Sequence, residues 1–366
     1  MQPSQARLRY LDGLRGIAIM AVMLWHFFGP TDAALLPYGN RYSHIPVLSS
    51  GWMGVELFFL ISGFVIFMTI ERCSGFCDFM LRRWLRLFPA MLIATIMLFA
   101  IDRFGGISGP RGPARLIDVI PGLTFVPSSI WHAVLHVPIA SLSDVFWTLY
   151  VECAFYVIFA GLYFRLGWQR AIGCLLAIFV LVRIGQAIIP AAHTMWWHRA
   201  IEPAEWLGLQ YFGWFASGAL FYKAALAGDR RLFGAAILAG FAAAMLFKGA
   251  FGTTMAEHLQ LFAIVIGFAL AQTSRTVQRL LSMRPILFVG AISYPLYLIH
   301  SNLGIGLIVK SAPLMAPLPV EISALLAVAT AMIAAWLINQ FAEPWTKARL
   351  KPLTERARQV VQLAFA

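Results

Sequence analysis

Long apolar runs separated by short polar clusters make up almost the whole chain. Runs of about 18–22 residues are long enough for a helix to cross a bilayer core about 30 Å thick, because each helical residue rises about 1.5 Å. The pattern therefore predicts an all-α polytopic membrane protein with about ten transmembrane helices. The predicted spans are 12–29, 51–70, 84–101, 145–164, 171–189, 206–226, 232–248, 255–273, 285–308 and 320–342.

Two connections between the spans, 30–50 and 102–144, are much longer than the others. The second is rich in Gly and Pro, and its apolar segment 116–127 is too short to cross the bilayer. Such segments lie at the membrane interface or dip back into the protein. We expect one transmembrane domain over 1–346, a short basic cytoplasmic tail over 347–366 and no extracytoplasmic soluble domain.

Composition and charge agree with this interpretation. Hydrophobic residues make up 60% of the chain and charged residues 12%, whereas soluble domains contain about 45–50% and about 25%. If the N-terminus lies in the cytoplasm, most Lys and Arg residues fall on the cytoplasmic side, which predicts that both termini are cytoplasmic. This topology predicts a multi-pass protein of the cytoplasmic (inner) membrane. The net charge of +12 then reflects topology and anionic membrane lipids, so no nucleic-acid partner is expected.

Ionisable residues inside the predicted spans are the first candidates for function, because a charge in the bilayer is costly. Arg15 and His26 lie on one face of the first span, about 16 Å apart along its axis. Glu56 on the second span lies at the depth of His26, where a carboxylate can orient the imidazole ring. A snorkelling arginine with a packed histidine, and a structural ion pair, are the alternatives at this point.

Two further residues fall in the same layer. His300 lies in the ninth span, and Glu152 enters the fourth span from the outer side. Four ionisable groups at one depth on four spans predict a common polar cavity.

A basic cluster marks the beginning of the third span. Arg82 and Arg86 are spaced for one helix face, and Arg83 lies between them. Together with Arg15 they form a cytoplasmic patch suited to phosphate groups, because guanidinium groups bind phosphate oxygens bidentately. Anchoring under the positive-inside rule is the alternative. Cys73 and Cys77 could form a metal-binding pair, but no second Cys/His pair lies near them, so no metal site is expected.

Six motifs occur in order along nearly the whole chain, from about residue 8 to Pro344. They are Leu11–Gly16, His26 eleven residues after Arg15, Val55–Phe64, Arg82–Pro89, Trp147–Glu152 and Ser293–His300. In this order they resemble the membrane acyltransferase family 3, the O-acyltransferases of cell-surface carbohydrates. The family often has Asp where Glu56 stands, and a second acidic residue where this chain has Cys153.

The resemblance implies ten core helices, cytoplasmic acyl-CoA (acetyl-CoA) as co-substrate and transfer of an acyl group, acetyl in most members, to an acceptor hydroxyl. It implies that Arg15, Arg82, Arg83 and Arg86 bind acyl-CoA, while His26 acts as general base or is acylated first. Glu56 would orient His26. The residues expected to bind or assist the acceptor are Glu152, Trp147, Tyr150, Tyr297 and His300.

The expected acceptor is a cell-surface or exported carbohydrate, free or lipid-linked, handled together with polysaccharide-biosynthesis partner proteins. A lipid or a small secondary metabolite is an alternative acceptor. A multi-helix secondary transporter is the rival class, although neither an inverted repeat nor matched broken helices are evident in the sequence.

Overall fold

A computed structural model of the protein describes residues 9–188, 196–247, 254–315 and 317–364, and this part of the chain is almost entirely helical. The α-helices are α1 Arg9–Phe28, α2 Pro46–Ser49, α3 Gly54–Ile70, α4 Phe76–Gly105, α5 Ile120–Thr124, α6 Ser128–Leu135, α7 Trp147–Leu166, α8 Trp168–Ile188, α9 Trp196–Trp206, α10 Phe212–Ala227, α11 Arg230–Met245, α12 Met255–Thr273, α13 Arg275–Leu281, α14 Arg284–Ile299, α15 Gly306–Ser311, α16 Glu321–Leu337 and α17 Glu343–Ala364. Two π-helical segments, His300–Ile305 and Ile338–Ala342, join α14 to α15 and α16 to α17.

Eight helical segments in the described residues are long and apolar enough to cross a membrane. They are Arg9–Phe28, Gly51–Ile70, Phe76–Gly105, Asp144–Leu166, Trp168–Ile188, Met255–Thr273, Arg284–Ser311 and Glu321–Pro352. They correspond to eight of the ten predicted spans and confirm an all-α polytopic membrane protein.

The other two predicted spans, 206–226 and 232–248, correspond to α10 and α11. Each of these helices has 16 residues, or about 24 Å, which is less than the core thickness of about 30 Å. Lys248, in the second of these ranges, lies outside the described residues. The count of ten spans and the orientation of the termini stay predictions.

The chain divides into two compact units. Unit 1 comprises Met1–Leu14, Val55–Met80 and Thr148–Met283, and unit 2 comprises Arg15–Gly54, Leu81–Trp147 and Arg284–Ala366. In unit 1, stacked and edge-on aromatic rings fill the core, and Phe155 stacks on Phe215 with ring centroids 4.2 Å apart. Close ring packing of this kind replaces the hydrophobic driving force that helices lack within a bilayer.

In unit 2, α1 packs closely along α14 and the π-helical segment that follows it. A Cβ atom at Gly16 would lie 2.5 Å from the carbonyl oxygen of Ile286, and one at Gly304 would lie 2.1 Å from the ring of Phe27. Glycine, which has no Cβ atom, permits the backbone contact at Gly16 and the packing of the Phe27 ring on Gly304. The end of α1 that carries His26 is therefore held against the segment that begins with His300.

Candidate active site

His26 lies in the last turn of α1 and is paired with a carboxylate that immediately follows the helix. Its Nδ1 atom lies 2.7 Å from Oδ2 of Asp32, and both side chains are buried. The chain turns back after Gly29 and Pro30, which brings Asp32 beside the histidine. A carboxylate at Nδ1 holds the proton there, so that Nε2 of a neutral ring is free to accept one. This is the arrangement of a general base.

His300 packs against His26. The two ring centroids are 5.1 Å apart in an edge-on arrangement, and His300 has 0% of its surface exposed. Its Nδ1 atom lies 2.9 Å from the carbonyl oxygen of Tyr297, which can only accept, so Nδ1 donates. The structure thus brings together two of the four residues that the sequence placed in one layer.

Two chain segments of unit 2 meet beside the histidines. Ser301 Oγ donates to Oδ1 of Asp144 over 2.9 Å, and Asn302 Nδ2 donates to the carbonyl oxygen of Leu142 over 3.0 Å. Pro295, five residues before His300, and the π-helical turn at His300–Ile305 depart from regular α-helix at this point. Wide turns of this type are frequent at functional sites.

His26, Asp32 and Asp144 offer ligand atoms that all lie within 4.8 Å of one another. One imidazole nitrogen and two carboxylates form a donor set that a divalent cation can use. The 2.7 Å separation of His26 Nδ1 and Asp32 Oδ2 is also that of a charge-assisted hydrogen bond. The expectation of no metal therefore stays a prediction.

Hydrogen bonds to Asp118 hold the last part of the connection 102–144 in place. Its carboxylate accepts from the guanidinium of Arg115 at 2.8 and 3.0 Å and from the backbone N–H of Ala140 at 2.9 Å. Partial burial raises the pKa of Asp118, but the hydrogen bonds from Arg115 and Ala140 outweigh it and leave that pKa below its ordinary value. An ionised Asp118 thus fixes the backbone shortly before Asp144.

The arginine cluster occupies the first part of the 30-residue helix α4. Arg82 and Arg86 are exposed and Arg83 is half-buried, as is Arg15 on α1. Arg86 donates to Oε1 of Glu343 over 3.3 Å and lies 5.5 Å from the centre of the Tyr294 ring. Arg86 is therefore already paired with a carboxylate of the same chain. The acyl-CoA-binding role of the four arginines stays a prediction.

Glu56 lies in unit 1 and is 2% exposed. Its Oε2 atom has no hydrogen-bond partner among the described residues, and its carboxylate lies within electrostatic range of Arg183. Arg183 is also buried, faces the rings of Phe179 and Phe247 and donates to Gln186 over 3.1 Å. The predicted role of Glu56 in orienting His26 stays a prediction.

Glu152 also belongs to unit 1 and is well supplied with hydrogen bonds. It accepts from the hydroxyls of Ser62 at 2.7 Å and Tyr156 at 2.6 Å. Among the aromatic residues predicted to contact the acceptor, Tyr150 and Tyr297 are buried and Trp147 is 39% exposed. Tyr297 contacts His300, with ring centroids 5.6 Å apart. Their roles toward an acceptor stay predictions.

Sequence reasoning missed Asp32, Ser143, Asp144, Ser301 and Asn302. The first three fall in long connections, where a polar residue is ordinary, and the last two follow His300 within an apolar segment. The available signal for Asp32 was its place just after Gly29-Pro30, where the helix that carries His26 in its last turn has to end.

Comparison with known proteins supports an assignment to a family. A family model described as an acyltransferase domain matches residues 8–340. The chain is 30% identical to the acyltransferase MdmB of Streptomyces mycarofaciens over 172 residues, which cover 45% of this chain and 41% of that protein. It is 30% identical to the exopolysaccharide production protein ExoZ of Rhizobium meliloti (strain 1021) over 146 residues, 37% of this chain and 42% of that protein.

A third relative is the O-acetyl transferase of Shigella phage Sf6, with 28% identity over 176 residues, 46% of this chain and 50% of that protein. The chain spans about half the length of the curated relatives that it matches. No solved structure matches the chain.

Proposed function

The chain belongs to the acyltransferase-domain family whose model covers residues 8–340, and we propose that it is a membrane O-acyltransferase. It transfers an acyl group, acetyl in the first instance, from cytoplasmic acyl-CoA to a hydroxyl of a cell-surface or exported carbohydrate. The names of two relatives, an O-acetyl transferase and an exopolysaccharide production protein, support this choice of group and acceptor. A multi-pass location in the cytoplasmic membrane is part of the proposal.

The observation that carries the proposal is the buried pair of His26 and Asp32. An imidazole whose Nδ1 is held by a carboxylate at 2.7 Å can take a proton at Nε2 and be stabilised as imidazolium. Asp32 is therefore the positioning residue for His26 in this proposal. His300 supplies a second buried imidazole beside the first.

The acyl-CoA donor is proposed to bind where Arg15, Arg82, Arg83 and Arg86 supply guanidinium groups for its phosphates. Arg15 and His26 belong to the single helix α1, so about 16 Å of axial distance separates them. The pantetheine arm of acyl-CoA is long enough to bridge that distance. The thioester would then lie beside His26, at the far end of the arm from the phosphates.

In direct transfer, Nε2 of His26 takes the proton of the acceptor hydroxyl as its oxygen bonds to the thioester carbonyl carbon. The tetrahedral intermediate collapses, the carbon–sulfur bond breaks and the leaving thiolate takes the proton from the imidazolium. The products are an O-acyl ester and free CoA thiol. In the variant mechanism Nε2 itself attacks the thioester carbonyl carbon, the carbon–sulfur bond breaks and CoA leaves as the thiolate. The acceptor hydroxyl then attacks the acyl carbon, the carbon–nitrogen bond breaks and the hydroxyl proton passes to the thiolate.

The test uses the purified full chain in lipid nanodiscs with labelled acetyl-CoA. Release of CoA thiol and transfer of label to alcohols and sugars are both measured. We expect His26→Ala to lower turnover by about 10²–10⁴-fold, the usual contribution of a general base. His132→Ala is the matched control, because His132 is exposed and its Nδ1 atom lies 2.9 Å from the nearby backbone carbonyl oxygen of Val137. Full turnover in His26→Ala would refute the proposed function of this residue.

A further inference from the structure

Three buried polar atoms beside the candidate active site have no hydrogen-bond partner among the described residues. They are Nε2 of His300, Oδ1 of Asn302 and Oγ of Ser143. The three residues are 0%, 9% and 0% exposed. Leaving a buried polar atom unpaired is unfavourable, so such atoms are rare in native proteins and each calls for a functional explanation.

The three residues belong to the two segments that meet at His26. Ser143 directly precedes Asp144, whose carboxylate lies within 4.8 Å of the ligand atoms of His26 and Asp32. The hydrogen bonds from Ser301 to Asp144 and from Asn302 to Leu142 join the segments. The ring of His300 contacts that of His26. The three residues with unpaired atoms thus lie on two joined segments that also supply Asp144 and the ring of His300 next to the proposed base.

The position of Asn302 is closely restricted. Its Nδ2 atom donates to the carbonyl oxygen of Leu142, and a Cβ atom at Gly109 would lie 2.3 Å from that nitrogen. The Nδ2 side of the amide is therefore fixed by its contacts, and Oδ1 remains available to accept a hydrogen bond. Ser143 stands before a short 3₁₀ turn, where serine usually caps the helix, yet its hydroxyl forms no capping bond.

The atoms share one chemical character. Asn302 Oδ1 accepts hydrogen bonds, and so does Nε2 of His300 in the neutral ring, because Nδ1 already donates to Tyr297. The hydroxyl of Ser143 can accept as well as donate. The carboxylates of Asp32 and Asp144 add negative charge nearby. A group that suits this lining donates hydrogen bonds and carries no negative charge.

We propose that Ser143, Asn302 and His300 form an acceptor subsite that binds the hydroxyls next to the one being acylated. The subsite takes an uncharged polyol with neighbouring hydroxyls and disfavours both anionic acceptors and simple monohydric alcohols. This inference rests on the proposed acyl transfer and names the acceptor chemistry that the same site selects. Each neighbouring hydroxyl donates to one of the unpaired atoms, which become paired only when the acceptor binds.

Ser143→Ala separates this role from a structural one. The hydroxyl of Ser143 has no partner within the described chain, so its removal breaks no intramolecular bond and leaves thermal stability equal or slightly higher. Loss of a bond to the acceptor raises the acceptor KM by about tenfold. Thr95→Val is the matched control in the same unit, because Thr95 is 2% exposed and its hydroxyl is likewise unpaired.

The experiment uses the full chain in nanodiscs at saturating acetyl-CoA. The acceptors are the methyl glycosides of glucose, galactose and mannose, methyl glucuronide as an anionic acceptor and cyclohexanol as a monohydric one. We expect at least one neutral hexoside to exceed cyclohexanol and the glucuronide by about tenfold or more in kcat/KM. Ser143→Ala should remove most of that preference by raising the KM for the hexoside, while Thr95→Val should retain it.

Three outcomes overturn the subsite. One is an equal or greater kcat/KM for cyclohexanol or the glucuronide than for every neutral hexoside. Another is an equal effect of Ser143→Ala and Thr95→Val on the hexoside KM, and the third is CoA release without transfer to any hexoside. Absence of any acetyl-CoA turnover counts instead against the proposed acyl transfer itself, so the two failures are distinguishable.

Discussion

Two buried polar clusters, one in each unit, contain carboxylates in very different settings. In unit 2, Asp32 is hydrogen-bonded to His26 at 2.7 Å, and a second histidine packs beside that pair. In unit 1, Glu56 has an oxygen without a hydrogen-bond partner in the described chain, and Arg183 faces aromatic rings.

The difference separates a carboxylate paired with an imidazole from a buried carboxyl group whose charged neighbour is a guanidinium. A carboxylate at hydrogen-bond distance from an imidazole selects its tautomer and stabilises its protonated form. A carboxyl group that interacts with a guanidinium and has no contact with an imidazole does neither. Burial of an acidic residue inside a predicted span therefore indicates function in general terms, but its partner decides which function.

Matched carboxylate-to-amide changes at Asp32 and Glu56 should show the largest difference between the two clusters. Asp32→Asn should lower kcat by about 10²-fold or more, because Nδ1 of His26 loses its acceptor for the proton. The acyl-CoA KM should change little. The fall in kcat for Glu56→Gln should be smaller, because Asp32 is the positioning residue for His26 in this proposal. The measurement is the pH profile of kcat for both variants in nanodiscs.

A displaced pH profile in Asp32→Asn, with the profile of Glu56→Gln unchanged, is the expected pattern. The reverse pattern would restore to Glu56 the role that the sequence predicted and would remove Asp32 from the mechanism. Thermal unfolding of both variants is the control. An equal loss of thermal stability in the two would mean that the changes act on the structure and not on proton transfer.

A change at the arginine cluster should have a smaller effect. Arg86→Ala should raise the acyl-CoA KM by about tenfold, the usual loss for one charge-assisted hydrogen bond, with the acceptor KM unchanged. Arg41→Ala is the matched control, because Arg41 is an exposed arginine of the same unit that pairs with Glu321 at 2.8 Å. Equal acyl-CoA KM values in the two variants would reduce the cluster to a membrane anchor.

Chelation should have the smallest effect. Because the 2.7 Å separation of His26 Nδ1 and Asp32 Oδ2 is that of a hydrogen bond, we expect dialysis against EDTA to leave the rate of acetyl-CoA turnover unchanged. The assay compares dialysed protein with untreated protein at the same pH. Loss of activity that zinc or manganese restores would convert His26, Asp32 and Asp144 from a proton-transfer site into a metal site.

Much of the architecture was predictable from local patterns. Apolar runs of sufficient length predicted eight helical segments that the structure contains, since a span must satisfy its own backbone hydrogen bonds within the bilayer. The spacing of Arg15 and His26 correctly placed both on one continuous helix. Equal depth of two histidines on separate spans correctly indicated that His26 and His300 are neighbours.

Other features depended on contacts between distant segments. Asp144 is held by a hydrogen bond from Ser301, 157 residues further along the chain. Asn302 is held by its hydrogen bond to Leu142, 160 residues before it. The pairing of a loop with a helix depends on helix rotation and on the path of the loop, which hydrophobic periodicity does not encode. Whether α10 and α11 cross the membrane is likewise not settled by apolar composition, because buried helices of any length are apolar.

The sequence by itself determined that the protein is a bundle of membrane helices, that His26 and the arginines are its candidate chemistry and that it resembles a family of acyltransferases. Only the tertiary structure decided that Asp32 is the carboxylate at Nδ1 of His26. It also decided that Ser143, Asn302 and His300, on the segments joined beside that pair, have polar atoms without a partner in the described part of the chain. The physical reason is that the two kinds of feature depend on interactions of different sequence range. Solvent preference and helical rise act residue by residue along the chain, whereas hydrogen-bond partners are selected by packing over distances of a few ångströms between segments far apart in sequence.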